Sequence, residues 1–345
     1  MTACRVASSA RSRAWVAPLL ASAMGSWSIT HGLAMAKSGW TAPCGEQRRF
    51  GSLSARSLGS DRNAVVLLHG LISTGDVFGA AYEQLASTHR LVVPDLLGFG
   101  RSMDERRSSF GVDDHLDALD ELAERTGLFD SPRWTLGAHS MGVLLALRWA
   151  TRHPDRVVRV VGWGAPMYAS PDRARREVAG SVMARSFALD TSLAQKACAL
   201  SCRHRTAAGW LSALAEPRLP VPIARQAPLH TWPAYRDAVR HLVIDVDWDE
   251  LMSMCEDLGI EVRLVWGARD PVGDWSFAER LTSGRAAHVD VLDHGDHRLP
   301  MTDPMTCISQ LCDCSIRGRS ASHHPTENER GESGQGGEPD EGEHE

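Results

Sequence analysis

Nowhere does this 345-residue chain hold eighteen consecutive apolar residues, so no transmembrane span is expected. An excess of basic charge is also missing. The formal net charge is −6, and −5 of it lies between Ser315 and Glu345, where eight acidic residues outnumber Arg317, Arg319 and Arg330. The remaining body is close to neutral, which gives no electrostatic footing for nucleic acid. Eight cysteines are present, but none stand as a Cys-x-x-Cys pair. Zinc is therefore not expected, and free thiols in a reducing compartment are the simplest reading, with a late disulfide among Cys307, Cys312 and Cys314 left open. No Gly-x-Gly-x-x-Gly follows the first buried strand, where Leu68 leads instead into His-Gly-Leu-Ile-Ser-Thr-Gly. A dinucleotide is thus disfavoured. No metal or cofactor is expected, His323-His324 in the tail being incidental, and the expected partner is a small molecule; the oligomeric state is open.

What is present suits a globular protein with a substantial core: 43% of residues are hydrophobic and 23% charged. The length allows one large α/β domain or two smaller ones. Residues 1–47 are rich in Ala, Ser and Gly and read as an extension. Within it Arg5, Arg11 and Arg13 precede a mildly apolar stretch, 14–23, broken by Pro18. That faintly resembles a signal peptide; without a clean cleavage site a cytoplasmic location is expected, with secretion left open.

From Phe50 the pattern becomes regular. Phe50–Leu58 reads as an edge strand or hairpin. The runs Ala64–Leu68, Arg90–Asp95, Trp134–Leu136 and Val157–Trp163 read as strands buried on both faces. Between them, helices are predicted over Val77–Ser87 and Val112–Arg125, and another after Ser140. Alternation of this kind gives a mainly parallel, doubly wound sheet. It stops at Pro166. Residues 167–245 read as helical pieces broken by Pro217, Pro220, Pro222, Pro228 and Pro233, an inserted helical cap over a core made of 48–166 and 246–314. Alternation returns with helix Trp248–Leu258, strand Ile260–Trp266, helix Trp275–Leu281, strand Ala287–Leu292 and a final helix near Pro304–Cys312. Residues 315–345 cannot bury enough apolar surface to fold and are expected to be a disordered acidic tail.

The chain's organising stretch is Arg133–Ala150. An apolar strand leads into Ala138-His139-Ser140-Met141-Gly142, and a helical pattern, Val143, Leu144, Leu147, Ala150, follows. A serine with very small residues two positions away on each side suits a sharp strand-to-helix turn, because only Gly or Ala fits where strand and helix pass closely. The plain alternative is a serine capping a helix. A serine hydroxyl is a weak nucleophile until a base takes its proton and a carboxylate orients that base. At the carboxyl ends of later strands stand Asp270, in Gly267-Ala268-Arg269-Asp270, and His294 and His297, in the loop after Leu292.

These residues resemble the α/β-hydrolase superfamily over about 48–166 and 246–314. Ala138 stands where that family's nucleophile elbow has its first glycine, and Ser140, Asp270, His297 follow its order of nucleophile, acid and base. Pro304, seven residues beyond His297, matches the family's histidine loop and favours His297 over His294, read as a surface histidine. Asp293 and Asp296 are read as turn caps. The resemblance implies an oxyanion hole made by the N–H groups of Leu71 and Met141, with His69-Gly70 as the bracing motif. Each such donor is worth about 3 kcal/mol of barrier. Asp95-x-x-Gly-x-Gly-x-Ser is expected to tie loops together. The expected pocket residues are His69, Gly70, His139 and Trp163, with Trp210 and Trp232 added from the tryptophan content of the cap.

The expected activity is hydrolysis of a small or medium ester, or a related carbonyl compound, through an acyl-enzyme. The same triad also serves acyltransferases, carbon–carbon bond hydrolases and perhydrolases, and some members of the fold are small-molecule receptors without turnover. Dehalogenases and epoxide hydrolases are disfavoured, because they carry aspartate where this chain has Ser140.

Overall fold

A computed structural model describes residues 39–180 and 192–312. The signal-like stretch 14–23 and the acidic tail 315–345 lie outside those residues. Eight strands form one sheet: β1 (Gln47–Phe50), β2 (Leu53–Leu58), β3 (Asn63–Leu68), β4 (Arg90–Asp95), β5 (Arg133–His139), β6 (Val157–Trp163), β7 (Glu261–Gly267) and β8 (Ala287–Leu292). Their order across the sheet is β1-β2-β4-β3-β5-β6-β7-β8. β1 and β2 form the edge hairpin, and β2 runs antiparallel to β4; every other pairing is parallel.

The uninterrupted apolar strands are explained by the two cores. Alternate side chains of a strand point to opposite faces. Val66 and Leu68 of β3 join one cluster with Leu136, Val160 and Leu264. Val65 and Leu67 join the other with Leu91, Val161 and Val265. Helices Val112–Arg125, Gly142–Arg152 and Trp248–Asp257 cover the first face with Leu119, Leu147 and Leu251. Helix Pro304–Cys312 covers the second with Ile308 and Leu311. Both faces of the central strands are covered, so neither alternate set of their side chains is polar.

Two expectations need correction. The helix over Val77–Ser87 is broken into a 3-10 turn, Gly75–Val77, one helical turn, Ala80–Glu83, and a second 3-10 turn, Gln84–Ser87. Buried Arg56 supplies the reason: its guanidinium donates to the carbonyls of Gly75 and Phe78, and the Trp40 indole donates to that of Asp76. Side chains thus draw on these carbonyls where an α-helix would begin, and the Gly75 carbonyl keeps only the 3-10 bond from the Phe78 N–H. The extension is also shorter than 1–47. Trp40 is buried in the second core, and the N–H groups of Cys44 and Gly45 donate to Glu83.

Between β6 and β7 the described residues include helices Pro171–Gly180, Ser192–Arg203, Arg205–Ala215, Val221–Ala224 and Trp232–Val239. It is tied to the loops beside the sheet. Gln226 donates to Asp76 and accepts from Thr74, and the Gly100 N–H donates to the Leu229 carbonyl. Among the described residues, Cys44, Cys198, Cys202, Cys255 and Cys307 form no disulfide. None of the described helices is long and apolar enough to cross a membrane.

Candidate active site

Strand order fixes where a site can form. The chain passes from β3 to β4 on one side, then to β5 on the other, so the loops leaving β3 and β5 diverge and open a crevice. Leu68 of β3 pairs with Ala138 of β5, which brings His69-Gly70-Leu71 beside His139-Ser140-Met141.

Ser140 has φ 54°, a left-handed conformation that strains any residue with a Cβ by about 1–3 kcal/mol. Its N–H donates to the Trp163 carbonyl at 2.8 Å, and its carbonyl accepts from the Val143 N–H at 3.0 Å. These bonds hold the turn between β5 and helix Gly142–Arg152. Gly142 must be glycine there, because a Cβ would lie 2.6 Å from the His69 carbonyl oxygen and 2.7 Å from that of Leu68. The side chain of Ser140 consequently stands out from the turn, partly exposed.

His297 comes from the loop after β8, and Asp270 from the turn after β7. His297 Nε2 lies 3.0 Å from Ser140 Oγ, and His297 Nδ1 lies 3.1 Å from each Asp270 carboxylate oxygen. A carboxylate only accepts, so Nδ1 carries the proton and the Nε2 lone pair faces the serine hydroxyl. The Asp270 side chain is 2% exposed and also accepts from the Val272 N–H. Beneath this pair runs Gly164, with φ 60°; a Cβ there would meet Asp270 Oδ2 at 2.7 Å and His297 Nδ1 at 2.9 Å. Such an arrangement can move a proton from the serine hydroxyl to the imidazole while the carboxylate stabilises the resulting charge.

His69 is fully buried, which holds its pKa below the ordinary histidine value and keeps it neutral. Its Nδ1–H donates to the Gly70 carbonyl at 2.7 Å, and its Nε2 accepts from the Leu96 N–H at 2.8 Å. The peptide bond between Gly70 and Leu71 is trans, so fixing its carbonyl toward His69 turns the Leu71 N–H the opposite way. No acceptor among the described residues takes the Leu71 or the Met141 N–H.

Asp95 accepts from the N–H groups of Gly75 and Arg101, joining the loops after β3 and β4. His294 is exposed and faces Asp303 Oδ2 at 3.2 Å. Asp296 caps its own turn through the Arg298 N–H and guanidinium. Among the described residues no three His, Cys, Asp or Glu side chains gather as a cation site.

The structure corrects much of the expected pocket wall. His69 and Trp163 are fully buried and line nothing; the Trp163 indole donates to Gln310 within the second core. Trp210 is exposed, with the Arg225 guanidinium 4.3 Å above its ring. Trp232 is half-buried against Tyr235. Gly70 does border the serine, since a Cβ on it would fall 2.9 Å from Ser140 Cβ. His139 lies behind His297: its ring centroid is 4.7 Å from that of His297, and its Nε2–H donates to the His297 carbonyl at 2.7 Å. Burial, then the nearby His297, push its pKa down to about 3. That contact spans 158 positions and has no signal in the sequence.

A family model described as the alpha/beta hydrolase fold matches residues 63–304. The chain belongs to that family. Among this family member's curated relatives, "Probable lysophospholipase BODYGUARD 2" of Arabidopsis thaliana is 30% identical over 115 residues, 32% of this chain and 24% of that protein. The chain thus matches about a quarter of that relative's length. Among solved structures, E-2-(acetamidomethylene)succinate hydrolase superposes with TM-score 0.58 at 21% identity, covering 77% of this chain and 97% of the other. A membrane phospholipase A gives TM-score 0.55 at 20% identity over 87% of this chain and 96% of the other. At such identities what this α/β-hydrolase shares with the two structures is the fold.

Proposed function

We propose that this α/β-hydrolase is a serine hydrolase of small or medium esters or related carbonyl compounds. Ser140 attacks the carbonyl carbon as His297 Nε2 takes the hydroxyl proton. The N–H groups of Leu71 and Met141 hold the oxygen as it becomes an anion. His297 then gives its proton to the leaving alcohol, and an acyl-serine remains. Water, deprotonated by the same imidazole, attacks the acyl carbon and frees Ser140. Asp270 keeps His297 in the tautomer that these steps need. No cofactor enters the scheme.

The observation that carries the reading is the unbroken run of contacts from Asp270 through His297 to Ser140, 3.1 and 3.0 Å long. Two unpaired N–H groups beside the serine support it, as does the hydrolase vocabulary of the relatives' names. We take the helices of 167–245 as the cap that selects the substrate. The test is turnover of an ester panel, with and without an acceptor alcohol. Ser140→Ala and His297→Ala should each lower hydrolysis by roughly 10⁴-fold or more while the far-UV spectrum stays native; His294→Ala should retain most of it. Retained activity in His297→Ala would refute the assignment of the base. Acyl transfer that outruns hydrolysis would make the enzyme a transferase.

A further inference from the structure

Seven large hydrophobic side chains are exposed among the described residues, and four of them fall within fifteen positions: Leu200, Trp210, Leu211 and Leu214. Scattered exposed leucines are ordinary, whereas a cluster is not. In helix Arg205–Ala215 the polarity is turned outward. Ala207, Trp210, Leu211 and Leu214, spaced as one helical stripe, face solvent, while Gly209 and Ala213 face inward. The inward side is small because the helix rests on the backbone of Arg225, where a Cβ on Gly209 would lie 2.7 Å from the Arg225 carbonyl oxygen. In the preceding helix, Ser192–Arg203, Lys196, Leu200 and Arg203 share one exposed face.

Charge separates this region from the rest of the chain. Residues 192–230 carry Lys196, Arg203, Arg205, Arg218 and Arg225 against Glu216 alone, in a protein whose net charge is −6. Arg205 is paired with Glu105, and Glu216 faces Arg218 at 3.9 Å. Lys196, Arg203, Arg218 and Arg225 are exposed. An apolar stripe containing a tryptophan, rimmed by cations, is the chemistry of a helix that lies in the plane of an anionic lipid surface. The apolar side chains enter the acyl boundary, the long basic side chains reach the headgroups, and the indole sits between.

We propose that the outward face of helices Ser192–Arg203 and Arg205–Ala215 docks the protein onto an anionic membrane surface. The docking is independent of turnover. Co-sedimentation of the full chain with phosphatidylcholine vesicles, with and without phosphatidylglycerol, tests it at low and high salt. The wild type should bind phosphatidylglycerol-containing vesicles, bind phosphatidylcholine much less, and release as salt rises. Leu211→Asp, and separately Leu214→Asp, should weaken binding by on the order of tenfold, and Arg218→Glu by roughly tenfold or more. All three should melt as the wild type does, and Ser140→Ala should bind as the wild type does. Failure of the wild type to bind phosphatidylglycerol vesicles would overturn the proposal, as would binding that none of the three substitutions weakens. A dimer in sedimentation equilibrium that Leu211→Asp dissociates, with vesicles ignored, would also overturn it and give the face to a second copy. Because Ser140→Ala should still bind, a failed triad and a failed docking face remain distinguishable.

Discussion

The sheet and the helical region between β6 and β7 use apolar residues in opposite ways. In helix Gly142–Arg152, Val143, Leu144 and Leu147 point inward and are almost wholly buried. In helix Arg205–Ala215 the large apolar side chains point outward, and Leu211 is 65% exposed. Both segments have helical periodicity, so periodicity reports that one face is apolar and leaves open what that face meets. A core meets the first. The second is free to meet something else, and that freedom also tells why the inserted region is the harder part to read.

Substitutions at matched leucines should break the comparison most visibly. Leu147→Ala removes buried side chain from the first core and should destabilise the fold by about 2–5 kcal/mol in denaturant unfolding. The same change at Leu211 should cost less than about 0.5 kcal/mol. Comparable losses at both would mean that the outward stripe is packed after all.

Next comes the pH response. His115 is buried in the first face's helix with neither ring nitrogen bonded among the described residues, and burial pushes its pKa down to about 4. A folded-state pKa below the unfolded value means that the unfolded chain binds the extra proton. Stability from this residue is therefore whole above about pH 6.5 and is lost as pH falls toward 4. His139 and His230, lowered to about 3 and about 4, add to the same acid loss. His115→Leu should shrink the stability difference between pH 8 and pH 5 by about 2 kcal/mol, at about 1.4 kcal/mol per pH unit. An unchanged difference would show that the imidazole is protonated or hydrated in the folded state.

A smaller effect is expected behind the site. His139 fixes the backbone of His297 and stays neutral until the pH falls to about 3. His139→Phe should lower kcat by roughly 10- to 100-fold with little change in KM, since a misplaced base slows the chemistry without altering binding. His139→Gln, which keeps a donor near the same place, should recover much of that loss. Equal activity in all three proteins would leave His139 as filler.

The sequence legible in advance was the part in which local and global demands agree. β4, helix Val112–Arg125 and helix Pro304–Cys312 run as their apolar patterns foretell, because the strand buries both faces and each helix buries one continuous face. The small residues around Ser140 could be read because strand and helix must pass within van der Waals distance there. What could not be read depends on partners far along the chain. Arg56 and Trp40 hold the carbonyls of Gly75, Asp76 and Phe78 at the start of the helix expected over Val77–Ser87. Trp163, expected in the pocket wall, instead donates its indole N–H to Gln310 from 147 positions away. Gly164 is silent in sequence, yet the space it leaves admits Asp270 and His297.

The central claim is that Ser140, made nucleophilic by His297, forms an ester with substrate. Labelling the intact protein with a fluorophosphonate and mapping the adduct by mass spectrometry tests it most directly. The account predicts a single adduct on Ser140, absent from Ser140→Ala and slowed by orders of magnitude in His297→Ala. An unlabelled wild type, or an adduct on another residue that persists in Ser140→Ala, would contradict it.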